Sequence, residues 1–257
     1  MKRPLLASVL LLALSLAACL SASAGEITVF AAASLTNAFT ALKADFERLH
    51  PGDVIKLDFA ASGALLGRMD AGATCDVFAS ADRDTMTMAV DRGRVDAATR
   101  LVIAGNTLVL VVPAGNPARV QGIESLSQGG VRRVGVGNPE SVPAGRYAKR
   151  GLQQKALWFA LTSKLVYYPS VRHVLAAVEH GDVDAGFVYA TDASAAGKAV
   201  ETAAAMALSP PVVYTAALAT TVREKPLAAA FLAYLATPKA LETLAGFDFA
   251  PPPTPAQ

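Results

Sequence analysis

A chain of 257 residues, 53% hydrophobic and 17% charged, is long enough for two modest domains, each burying a core of its own. Lys2 and Arg3 are the only charged residues among the first 24, and without them the remaining basic and acidic side chains balance. That neutrality argues against nucleic acid or an anionic membrane surface as the partner.

The chain opens Met1-Lys2-Arg3 and continues through an apolar run over residues 5–20, the charged start and apolar middle of a secretory signal. Ala22-Ser23-Ala24 supplies a small-residue cleavage pattern, so residues 1–24 are expected to be removed and the mature chain to begin near Gly25 in the periplasm. Leu16-Ala17-Ala18-Cys19 is a competing lipoprotein signal, in which Cys19 would carry a lipid anchor. No later stretch reaches the ~18 apolar residues of a spanning helix. Beyond the signal only Cys75 remains, which excludes an internal disulfide and reads as a small buried residue.

From residue 26 onward, short β-prone runs alternate with segments of helical period, the pattern of mostly parallel sheets flanked by helices. Strands are expected over 26–31, 54–60 and 76–80, with helices over 35–49, 63–71 and 84–92. The last two stop at Gly72 and Gly93. Residues 100–113 hold the strongly β-prone 107–112 and introduce a second series of strands at 134–137, 165–168 and 185–189. Helices at 144–154 and 171–180 separate them. A strand over 212–220 and two C-terminal helices split at Pro238 complete the pattern. The expected architecture is a two-lobed α/β protein, with 25–105 and 216–257 in lobe I and 106–215 in lobe II. The chain then crosses near Gly105 and near Thr215, and the tail 251–255 is too rich in proline to pair in a sheet.

Four strand-to-helix junctions share one chemistry. Ser34 follows Ala31-Ala32-Ala33, Ser62 follows Ala60-Ala61, Pro143-Ala144-Gly145 opens a third helix, and Pro169-Ser170-Val171 opens a fourth. A helix start leaves up to four N–H groups without intrahelical partners and carries partial positive charge, so it binds an anion without a cationic side chain. Any one of these serines is more simply an ordinary N-cap, and Tyr189 is more simply a core aromatic. If all four junctions lie at the carboxyl ends of strands, they face the ligand crevice of an open α/β sheet.

These residues also resemble a known family. Phe30-Ala31-Ala32-Ala33-Ser34-Leu35-Thr36-Asn37-Ala38 is similar to the opening signature of the periplasmic molybdate-binding proteins, which have the type II periplasmic binding protein fold. Further matches run from Phe59-Ala60-Ala61-Ser62 through 76–82, 105–109 and 138–148 to 186–193. The resemblance implies capture of molybdate or tungstate for an ABC-type permease, by a monomer with no resident cofactor. It places the oxyanion on Ser34, Ser62, Ala144, Val171 and Tyr189. It departs from the family at Tyr168-Pro169, where an acidic residue is usual, and at Ala61 and Gly63, where a serine run is common.

Catalysis has little support. No Gly-x-Ser-x-Gly, Ser-x-x-Lys or His-Glu-x-x-His pattern occurs, Gly135-Val136-Gly137 lacks the third glycine of a dinucleotide fingerprint, and His50, His173 and His180 read as surface residues. The alternative within the binding class is sulfate or another tetrahedral oxyanion. The five positions offer only donors and no carboxylate, which suits a fully deprotonated anion better than monoprotonated phosphate.

Overall fold

Apolar alternation and helical period resolve into two five-stranded sheets in a computed structural model that describes residues 25–253; the export signal expected in 1–24 and the possible anchor at Cys19 lie outside them. In the first half, β1 (Glu26–Ala32), β2 (Val54–Ala60) and β3 (Val77–Ser80) alternate with α1 (Thr36–Leu49), α2 (Ser62–Asp70) and α3 (Arg83–Asp91), followed by β4 (Leu101–Asn106). The second half holds β5 (Leu108–Pro113), β6 (Val134–Gly137), α4 (Pro143–Gln154), the single turn α5 (Trp158–Leu161) and β7 (Leu165–Tyr168). It continues through α6 (Val171–Glu179), β8 (Ala185–Tyr189), α7 (Ala190–Ala196) and β9 (Val200–Met206). The chain then returns through β10 (Val212–Leu218) and ends in α8 (Lys225–Tyr234) and α9 (Pro238–Gly246).

The sheet orders are β2-β1-β3-β10-β4 and β7-β6-β8-β5-β9. In each, the strand that enters just after a crossing, β10 or β5, runs antiparallel to both neighbours, and the other strand pairs are parallel. The expected strand over 107–112 is therefore not continuous with what precedes it. Asn106 closes the first sheet, Leu108 opens the second, and Thr107 is the whole connection. The expected return near 215/216 is corrected as well, because β10 pairs with β4 of the first sheet from Val212 onward and the crossing lies between Met206 and Val212. Strand β9 and helix α7 have no local signature, because the alanine-rich 190–206 carries neither period clearly.

Burial follows the periods. Helix α6 turns Val171, Val174, Leu175 and Val178 inward, the i, i+3, i+4, i+7 face of an amphipathic helix. Helix α1 inserts Phe46 edge-on against Phe231 and Tyr234, with centroids 5.3 and 5.4 Å away. Cys75 is buried as expected, and burial pushes its thiol up to about 12. Among the described residues no helix is long and apolar enough to cross a membrane.

Candidate functional site

The two sheets present the carboxyl ends of β1, β2, β6, β7 and β8 to one another, so the helices that follow start at a shared crevice. There a small cavity is lined by Ala32, Ala33, Ser34, Ala61, Ser62, Ala81, Val142, Pro143, Ala144, Val171 and Tyr189. All five sequence-nominated residues are in that lining, two from the first half and three from the second. None is more than 4% exposed.

The serines do not play the role first expected of them. Ser62 is the first residue of α2, whose N-cap is Ala61, and Ser34 lies inside a 3-10 turn, Ala33–Leu35, that precedes α1. Neither caps its helix, and no side chain caps α1, α2 or α4. A first turn without a side-chain cap keeps its N–H groups available to a ligand. Of the four nominated junctions, α6 is the one capped in the ordinary way: the Ser170 hydroxyl accepts the His173 N–H and contacts His173 Nδ1 at 2.7 Å. The alanines at the starts of α1, α2 and α4 carry no side chain long enough to block approach of a small ion.

Hydroxyl groups complete the donor set. Ser34 Oγ lies 2.9 Å from the Tyr214 hydroxyl, which also accepts from Asn106 Nδ2 at 3.3 Å. Ser62 Oγ accepts the Ala81 N–H at 3.1 Å, leaving its own proton to point elsewhere, and the Tyr189 hydroxyl reaches the Ala81 carbonyl at 3.4 Å. Burial raises both Tyr189 and Tyr214 well above the usual phenol range, so each remains a protonated donor. Tyr214 comes from the return strand β10, and nothing in the sequence of residues 212–218 separates it from core.

Charge stays one step back from the cavity. Asp192 is fully buried behind Tyr189, accepts the Tyr189 N–H at 3.2 Å, and has Oδ1 2.7 Å from Arg172 Nε, out of line for a hydrogen bond. Burial raises its carboxyl to about 6 against the opposing pull of Arg172. Across the crevice, Gly63 N–H donates to the Ser141 carbonyl at 3.0 Å and Arg146 Nε meets Asp82 Oδ2 at 2.8 Å. A wider polar groove also borders Ser34, with Arg172, Thr191 and Asp248 in its wall. Its wall includes the exposed Asn37, Gly246 and Asp248, whereas every residue lining the smaller cavity is buried, so water competes less for the smaller cavity's donors and it is the better anion site. Among the described residues no three His, Cys, Asp or Glu side chains gather to hold a metal ion.

Residues 27–249 match the bacterial extracellular solute-binding protein family. The chain belongs to that family. The solute-binding protein is 43% identical to the molybdate-binding protein ModA of Escherichia coli over 180 residues, covering 68% of this chain and 69% of that one. It is 32% identical to ModA of Haemophilus influenzae over 235 residues, with 89% and 91% covered. It is also 35% identical over 225 residues to a putative ABC transporter substrate-binding lipoprotein of Bacillus subtilis, with 87% and 85% covered. The periplasmic molybdate-binding protein of Azotobacter vinelandii superposes with a TM-score of 0.77 at 23% identity, covering 88% of this chain and all of that one, which speaks for the fold. The sulfate-binding protein of Mycobacterium tuberculosis superposes almost as well, at 0.76 and 20% identity over 88% and 87% of the two chains, so backbone shape alone does not choose the anion. As an extracellular solute-binding protein, the chain functions outside the cytoplasm.

Proposed function

We propose that this protein captures molybdate, and equally tungstate, in the cavity between its two halves and delivers it to the permease of an ABC importer. The observation that carries this reading is the cavity lining: helix starts from both halves, two serines and a protonated tyrosine converge there, and no charged side chain enters. A fully deprotonated tetrahedral anion can accept from every such donor, and helix starts stabilise it without a counter-ion that would need desolvation. In this assignment Ser34, Ser62 and Tyr189 donate hydroxyl hydrogens, and Ala144 and Val171 donate backbone N–H groups. The site binds without turnover. Lobe I comprises β1–β4, β10 and the C-terminal helices, lobe II comprises β5–β9, and the monomer closes on its ligand about the two crossings at Thr107 and between Met206 and Val212. Export uses the signal in residues 1–24, either cleaved after Ala24 or lipidated at Cys19.

Calorimetric titration with molybdate, tungstate, sulfate and phosphate tests the assignment. Mo–O and W–O bonds are nearly equal in length and S–O is shorter, so donors set for the larger ions leave at least one partner of sulfate unreached. Each buried donor left unpaired costs roughly 1–3 kcal/mol. Molybdate and tungstate are expected to bind alike and sulfate at least tenfold more weakly; comparable sulfate affinity would make this a general oxyanion carrier.

A further inference from the structure

Outside the cavity lining, one side chain spans the crevice with every guanidinium nitrogen engaged. Arg146 lies on α4, two residues beyond Ala144. Its Nη1 donates to the Pro139 carbonyl at 3.1 Å and the Glu140 carbonyl at 3.3 Å, both in its own half. Those contacts aim the rest of the guanidinium across to the first half, where Nε meets Asp82 Oδ2 at 2.8 Å and Nη2 donates to Thr85 Oγ1. Asp82 is 1% exposed and is itself tied down: it caps α3 by accepting the Thr85 N–H at 3.0 Å and lies beside Ser80 Oγ at 3.3 Å. It directly follows Ala81, the cavity residue whose N–H and carbonyl meet Ser62 and Tyr189. The bridge thus sits one residue from the cavity on one side and two on the other.

Resting on the oxyanion-capture function proposed above, we infer that Arg146 is a positioning residue that clasps the two halves shut around the ligand and sets its residence time. A guanidinium held in place by two carbonyls loses little freedom when it meets a carboxylate, and its planar fork suits one. A desolvated charge pair of this kind acts mainly on dissociation, because it forms only once the surfaces have closed. The neighbouring bridge from Arg150 to Asp84, at 3.1 Å with side chains 31% and 53% exposed, spans the same crevice in solvent and contributes little. It is the internal control.

The test is stopped-flow release of molybdate from wild type, Arg146→Met, Arg146→Lys and Arg150→Met, with melting temperatures measured with and without the anion. Arg146→Met is expected to speed release at least roughly tenfold while changing association less than about threefold. Arg146→Lys, with charge but no fork, should fall between, and Arg150→Met should stay within about twofold of wild type. Arg146→Met should lower the melting temperature of the liganded protein more than that of the free one. Unchanged release, an equal loss in both melting temperatures, or an equal effect of Arg150→Met would each overturn the clasp. If wild type binds none of the four anions, the function itself has failed. The clasp is then read without ligand by small-angle scattering, where Arg146→Met should have the larger radius of gyration and identical radii would overturn it.

Discussion

Gly63 offers a way to prop the crevice open without touching a ligand donor. It is the second residue of α2, directly after Ser62, and its N–H donates across the crevice to the Ser141 carbonyl at 3.0 Å. A Cβ built there would lie 2.6 Å from that carbonyl oxygen and 2.9 Å from Ser141 Cα, so the opposing backbone must retreat. Overpacking of this kind costs about 1–3 kcal/mol, and the stretched hydrogen bond adds about 1 kcal/mol. Gly63→Ala is therefore expected to weaken molybdate binding by about 2–4 kcal/mol, roughly 30- to 800-fold in Kd. All of that cost arises where the halves meet. Within α2 itself alanine is the better helix former by up to about 1 kcal/mol, so the free protein should melt no lower than wild type. Calorimetry gives the affinity and scanning calorimetry the free-protein stability. An unchanged Kd would refute the claim that close approach of α2 and Ser141 is needed for binding, and a large loss of free-protein stability would show that the contact belongs to the fold.

Ser34→Ala and Ser62→Ala should each lower molybdate affinity by roughly 1.5–3 kcal/mol, the usual worth of a hydrogen bond to a charged partner; titration of folded variants checks this, and two unchanged affinities would remove the site assignment. Ser62→Ala also strands the Ala81 N–H, so it should cost the free protein about 1–3 kcal/mol of stability in denaturant melts. Gly145→Ala places a Cβ 1.8 Å from the Gly137 carbonyl oxygen, which must push α4 off β6; a loss of about 3 kcal/mol or more in denaturant unfolding is expected, and near-neutral behaviour would contradict the packing. Asp192 has its folded carboxyl raised to about 6, so its protonated form favours the native state: that contribution is full below about pH 4 and lost as pH rises through about 6. The stability of wild type relative to Asp192→Asn should decline across that window, and a constant difference in melting temperature from pH 4 to 7 would exclude the titration.

Much of the architecture was legible locally because each signal is written within one element. The face formed by Val171, Val174, Leu175 and Val178, the proline at the start of α4 and the glycines after α2 and α3 act through neighbours three or four residues away. The family resemblance nominates five residues that line the cavity, Ser34 within 30–38, Ser62 within 59–62, Ala144 within 138–148, Tyr189 within 186–193 and Val171 at the Pro169-Ser170-Val171 junction, since each sits where a strand hands over to a helix. Three things needed the tertiary structure. The run 100–113 reads as one β-prone stretch, and only pairing with β10 on one side and β8 on the other divides it at Thr107, because strand partners hundreds of atoms away decide which sheet a residue joins. Ser34 and Ser62 have the sequence look of N-caps, yet the helices start one residue earlier or later, which frees their hydroxyls for Tyr214 and Ala81. Finally, the contacts that close the crevice, Arg146 with Asp82 and Gly63 with Ser141, join positions 64 and 78 residues apart. No periodicity reports such pairs: they exist only because two separately folded sheets bring their helix starts to a common cavity, and that meeting is decided by packing between halves, not by any preference within a segment.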